Sequence, residues 1–120
     1  MYSDPREPVT EFLLDVKGAI QAGDDRWIFV TRYKNIETVA GLEFTMEDVG
    51  REILSLSVMD YCLGPMNDPE IGGDVWVFGK TISDKEVYIK LKLWGDKTSK
   101  GLRVLSFHWA ETPLIYPFKR

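Results

Sequence analysis

The sequence has one cysteine, one histidine and no apolar run longer than four residues. The lone cysteine, Cys62, excludes an internal disulfide. "WIFV" and "VWVF" fall far short of the roughly 20 apolar residues that a membrane-spanning helix needs. The opening "MYSDPREPVTEF" has no basic stretch leading into an apolar one, so no secretory leader is expected. One histidine and one cysteine are too few for a zinc site, and no Gly-rich phosphate loop of the P-loop or dinucleotide type occurs. No metal and no cofactor are expected. Internal repeats and low-complexity segments are also absent. What is present is core-forming material: 44% hydrophobic residues, a fraction that excludes a disordered chain. The expectation is a reduced, cytoplasmic, single-domain protein over residues 1–120, with residues 1–9 as a loose lead-in.

Charge is unevenly spread. Residues 1–75 carry six basic against fifteen acidic side chains, and residues 76–120 carry nine against four. The net charge of −4 argues against a nucleic-acid partner, whereas a basic C-terminal part is a feature of chains that meet an anionic ligand. The plainer explanation is that lysine-rich strands keep sheet edges soluble.

Periodicity divides the chain into helices followed by strands. In "VTEFLLDVKGAIQAG" Val9, Phe12, Leu13, Val16, Ala19 and Ile20 share one helical face, with Thr10 as N-cap and Gly23 as the stop. "RWIFVTR" reads as a strand. "YKNIETVAGL" reads as a short helix ending at Gly41. "TMEDVGREILSLS" reads as a third helix, with Thr45 and Asp48 in a capping box and Val49, Ile53 and Leu56 turned inward. "DYCLGPMNDPEIGGD" reads as a long loop because of its Pro and Gly pairs. The remainder is antiparallel ribbon: "VWVFGKTIS", "EVYIKLKLW" and "LRVLSFHWA", joined by "DK" and "GDKTSKG". This order predicts an α+β fold with helices packed on one face of a small, mainly antiparallel sheet.

Strand alternation then sorts the chemistry. Val87, Ile89, Leu91 and Leu93 form an apolar face, and Glu86, Tyr88, Lys90 and Lys92 form the other. In the next strand Leu105, Phe107 and Trp109 are expected to face the core. That leaves Ser106 and His108 beside Tyr88 and Lys90. A histidine exchanges protons near neutral pH, lysines balance phosphate charge, and a tyrosine can bond a phosphate or stack on a base. With Lys80, these are the parts of a metal-independent ribonuclease. From residue types alone, an amphipathic sheet face with one partly buried, hydrogen-bonded histidine is the plainer account of the pattern. A Cys62–His108 nucleophile pair is the weaker idea, because Cys62 sits between Tyr61 and Leu63 as a packed thiol would. The acidic "PMNDPE" reads as a solvated loop ahead of a cation site.

Taken together, "GLEFTMEDVGREILSLSVMDY", "DVWVFGK", "EVYIKLKL" and "VLSFHWAE" resemble the MqsR-type toxins of bacterial type II toxin–antitoxin systems. The resemblance runs over roughly residues 10–112. It implies a RelE-like fold and an endoribonuclease that cuts mRNA without a metal ion and is neutralised by a cognate antitoxin. It implies a catalytic tyrosine at Tyr88 and a lysine at Lys90. His108 stands where the family's better-known members carry the lysine of "SFK". Two further family positions, a lysine and a glutamine, fall near Leu63 and Val75, and Lys80 is assigned the missing positive charge. On this reading His108 is a general acid or base, Tyr88 orients phosphate or base, and Lys90 with Lys80 balances charge. Lys92, Lys97, Lys100 and Arg103 draw in the RNA backbone. The alternative is a non-catalytic protein-binding or regulatory module on the same fold, working through its acidic helical half.

Overall fold

The computed structural model describes residues 4–96 and 98–119. Three helices and five strands form an α+β domain: α1 (Glu7–Ala22), β1 (Trp27–Phe29), α2 (Tyr33–Leu42), α3 (Met46–Leu54), β2 (Tyr61–Asn67), β3 (Asp74–Ile82), β4 (Lys85–Gly95) and β5 (Lys100–Trp109). The sheet order is β1-β5-β4-β3-β2, antiparallel except for the parallel β1–β5 pair. No helix among the described residues is long and apolar enough to cross a membrane.

The helices cover one sheet face for the reason the periodicity implies. Val9, Phe12, Leu13, Val16 and Ala19 of α1 and Val49 and Ile53 of α3 bury against Trp76, Phe78, Val87, Ile89, Leu91, Val104 and Phe107. Phe12 stacks on Trp76 with ring centroids 4.7 Å apart. Helix α3 starts on the expected capping box: Asp48 N donates to Thr45 Oγ1 (3.1 Å) and Thr45 N donates to Asp48 Oδ2 (2.8 Å). Helix α1 starts earlier than expected, at Glu7. Pro8 falls in the first turn, where its missing N–H costs nothing. Thr10 is therefore inside the helix, its hydroxyl donating to Arg6 O. Gly23 ends α1 at φ 119°. The β3–β4 hairpin turns through Ser83 and Asp84, both at positive φ (51° and 67°), as a type I′ connection requires.

Two further expectations are corrected. The segment read as a long loop contains an edge strand, β2, paired with β3 through two register shifts. Proline is tolerated at such an edge. Gly64 at φ 120° allows the close approach to β3, since a Cβ there would lie 2.8 Å from Val75 O. Leu105 does not join the helix-side core. The β4–β5 register steps from Lys90↔Ser106 to Leu91↔Val104, which leaves Leu105 as the extra residue of a bulge. It turns to the second face, beside Val75, Lys90 and Arg103.

Helix α2 finishes the sheet where β1 stops. Beyond the last β1 contact, Asn35 Nδ2 donates to Leu105 O (3.0 Å) and Val30 O (2.9 Å), and Phe107 N donates to Asn35 Oδ1 (3.0 Å). Two residues on, Trp109 N donates to Thr38 Oγ1 (3.2 Å). Asn35 and Thr38 are both fully buried. A helix thus serves the open edge of β5 as a strand would.

Candidate functional site

The second sheet face is partly covered by two segments. The C-terminal stretch crosses it where Leu114 N and the Tyr116 hydroxyl donate to Glu86 (3.1 and 2.7 Å). The turn after β2 is tied down where Lys92 Nζ donates to Asp68 Oδ2 (2.9 Å). Between the C-terminal stretch and the start of α2 lies an open groove of about 540 Å³. Its floor is Tyr88, Lys90, Ser106 and His108. Arg32, Tyr33, Lys34 and Asn35 line one wall, and Glu111, Thr112 and Leu114 the other. Arg32 and Lys90 also line an adjoining concavity of about 200 Å³ with Arg103.

Pairing places Tyr88 directly opposite His108 and Lys90 opposite Ser106. The two rings stack, with centroids 5.2 Å apart and 19° between planes. His108 Nδ1 lies 3.0 Å from Trp109 O. A carbonyl can only accept, so this bond takes a proton on Nδ1 and leaves Nε2 as the ring nitrogen facing a ligand's proton. Burial raises the Tyr88 phenol above its ordinary pKa, so it remains a hydrogen-bond donor at neutral pH. Lys90 has no ion-pair partner among the described residues. Ser106 is only 4% exposed, and its hydroxyl has no hydrogen-bond partner among them. Across the groove Lys34 pairs with Glu111, holding that carboxyl below its usual pKa.

The other residues singled out from the sequence are not brought to this groove. Lys80 pairs in register with Val87, so it points to the helix side, where it binds Glu52 (2.8 Å) and Ser55. Lys92 is spent on Asp68 and is largely buried. Lys100 binds Asp15 of α1 (2.6 Å), again on the helix side. Arg103 sits over the Trp94 ring at 6.0 Å. Lys97 lies outside the described residues. Cys62 is buried, and burial, with the charges of Glu86 and Asp60, pushes its thiol up to about 11, leaving it protonated at neutral pH. Leu63 and Val75, where the resemblance would call for a lysine and a glutamine, are themselves apolar.

Sequence reasoning missed Arg32, Lys34, Asn35 and Glu111. A signal existed for Asn35: it lies three residues before Thr38 and four before Val39, so α2 turns polar groups toward the same side as its apolar ones. A polar residue on an inward stripe must find backbone partners. Among the described residues no group of three or more His, Cys, Asp or Glu is placed to hold a metal ion. Comparison with protein-family models, with curated proteins and with solved structures finds no match to this chain.

Proposed function

We propose that the protein is an endoribonuclease toxin of the MqsR type, RelE-like in fold, acting on mRNA and neutralised by a cognate antitoxin. The observation that carries this reading is the Tyr88–His108 stack on the floor of an open groove that also holds the unpaired Lys90. In the reaction the ribose 2′-oxygen attacks the adjacent phosphorus, the P–O5′ bond breaks, and a 2′,3′-cyclic phosphate and a 5′-hydroxyl result. One proton leaves the 2′-OH and one must reach O5′. His108 Nε2 carries out one of these transfers. Lys90 offsets charge building on the non-bridging oxygens, and the Tyr88 phenol donates to phosphate or base. Arg103 keeps its share of the backbone contacts and Arg32 joins it, in place of Lys92 and Lys100, which are engaged with Asp68 and Asp15. Lys80 has no part in this chemistry.

The test is cleavage of a synthetic RNA by purified protein in the presence of a chelator, scored for cyclic-phosphate ends. His108→Ala should lower the rate by about 10²–10⁴-fold with the fold intact. A wild-type rate in that variant removes the assignment. A second reading, a non-catalytic binding module, draws on the neutralisation of Lys80, Lys92 and Lys100 by Glu52, Asp68 and Asp15. Regulated expression separates the two, because the toxin arrests growth and the module does not.

A further inference from the structure

Among the described residues nothing accepts from the first N–H groups of α2. Arg32 occupies the N-cap position in an extended conformation (φ −75°, ψ 152°) and makes no capping hydrogen bond through its side chain. The first backbone bond of the helix runs from Ile36 N to Arg32 O. The amides of Tyr33, Lys34 and Asn35 therefore remain without backbone acceptors at the positive end of the helix. Such ends bind anions when a ligand can reach them, and here all three residues line the groove.

A second, independent feature lies beside them. Asn35 bonds Leu105 O and Phe107 N, the groups on either side of Ser106. Through this clamp Asn35, at the open helix end, brackets Ser106, whose hydroxyl has no partner among the described residues, in the groove that Lys90 also lines. Ser106 is only 4% exposed, and the little surface it keeps lies on the groove, where its hydroxyl can meet a ligand oxygen.

We infer that the first turn of α2 together with Ser106 is a phosphate subsite, which holds the non-bridging oxygens of a phosphodiester while Tyr88 and His108 work beside it. The identity of the ligand rests on the ribonuclease reading; the anion chemistry does not. Two donors of the first turn and the Ser106 hydroxyl supply the hydrogen bonds, and Arg32 and Lys90 supply the charge. Glu111 is the competing anion. It neutralises Lys34 at the rim and repels an incoming phosphate.

Nuclear magnetic resonance titration of the full chain tests this, with inorganic phosphate and a 2′-O-methyl RNA hexamer as probes at fixed ionic strength. The hexamer carries diesters but no 2′-hydroxyl, so it is not cut. Both probes should shift the amides of Tyr33, Lys34 and Asn35. Proline is favoured at the first helical position, so Tyr33→Pro removes one donor with the helix retained, and the extended Arg32 before it suits a proline. Tyr33→Ala loses the same 77%-exposed side chain and keeps the donor. Tyr33→Pro should bind both probes about five- to tenfold more weakly than Tyr33→Ala. Ser106→Ala should weaken binding about threefold or more, and Glu111→Gln should tighten it about threefold. These two variants carry the test if Tyr33→Pro fails to fold.

Saturation with no shift at residues 33–35, or equal affinities for all four variants, overturns the subsite. Binding of inorganic phosphate without the hexamer overturns the diester assignment. RNA cleavage is measured on the same preparations. Shifts at 33–35 without cleavage uphold the anion site and remove the nuclease reading, while cleavage without those shifts does the reverse.

Discussion

Replacing Asn35 by alanine tests the idea that a helix closes the sheet edge. The side chain makes three bonds of 2.9–3.0 Å, to Val30 O, Leu105 O and Phe107 N. The bonds to Leu105 O and Phe107 N are buried, Phe107 being itself in the core, whereas the bond to the half-buried Val30 is partly open. Each buried backbone group left without a partner costs about 1–3 kcal/mol. Asn35 also borders the groove, so water can reach part of the vacated space and satisfy some of what is lost. The sum that follows is a loss of about 3 kcal/mol, a large share of the stability of a domain this size. At roughly 4 °C per kcal/mol it lowers Tm by about 12 °C. Thr38→Val removes the 3.2 Å bond from Trp109 N together with the hydroxyl's own donation to Lys34 O within the helix (2.9 Å), and leaves only one backbone N–H unpaired, so it should cost about 1 kcal/mol. Urea unfolding at 25 °C measures both, with an unchanged slope showing that the same surface is exposed. A loss below 1 kcal/mol for Asn35→Ala, or a larger loss for Thr38→Val, refutes the argument. Asn35→Asp sharpens it: the carboxylate can still accept from Phe107 N but cannot donate to either carbonyl, so it should destabilise at least as much as alanine.

The Asp68–Lys92 contact makes a pH prediction. Bonding to Lys92 and to the amides of Glu70 and Ile71 lowers the Asp68 carboxyl to about 2 from an ordinary 3.8. A depressed folded-state value means the contribution is complete above about pH 4 and is lost as pH falls toward 2. Amide exchange in residues 68–73 should accelerate over that window, and Asp68→Asn should show the acceleration already at pH 7. Cys62, with its thiol raised to about 11, should react with a thiol reagent at pH 8 far more slowly in the native protein than in urea, and Cys62→Ser should leave RNA cleavage unchanged. Rapid native labelling would contradict its burial. Gly79→Ala places a methyl 2.6 Å from the Tyr116 hydroxyl and against Leu114. It should cost about 1–3 kcal/mol and speed proteolysis after residue 112, and unchanged stability with unchanged cleavage would contradict this packing.

Much of the fold was legible because local rules and burial agree. The 3.6-residue spacing of Val9, Phe12, Val16 and Ala19 and the alternation of Val87, Ile89 and Leu91 each admit one packing against the other. Thr45 and Asp48 capped α3 as their spacing implies. The failures share a cause. Leu105 and β2 were misread because a bulge and an edge strand are set by pairing with a distant segment, which alternation within one strand cannot report.

The site divides along the same line. Tyr88, Lys90, Ser106 and His108 were placed correctly on one face because period-2 geometry and a short hairpin connection fix their relation. The lysines were not separable in sequence. Lys80, Lys92 and Lys100 look like Lys90, yet each is matched by a carboxylate 24 to 85 residues away, and only tertiary structure decides which cation stays unpaired. A basic stretch therefore overstates the charge a ligand would meet. The electrostatics of the groove rest on Arg32, Lys34, Lys90 and the amides of α2, set against Glu111. Two of those cations come from the acidic half of the chain. The charge asymmetry along the sequence pointed to the strands that floor the groove, but one of its walls is built by the start of α2, from the half of the chain that the asymmetry set aside.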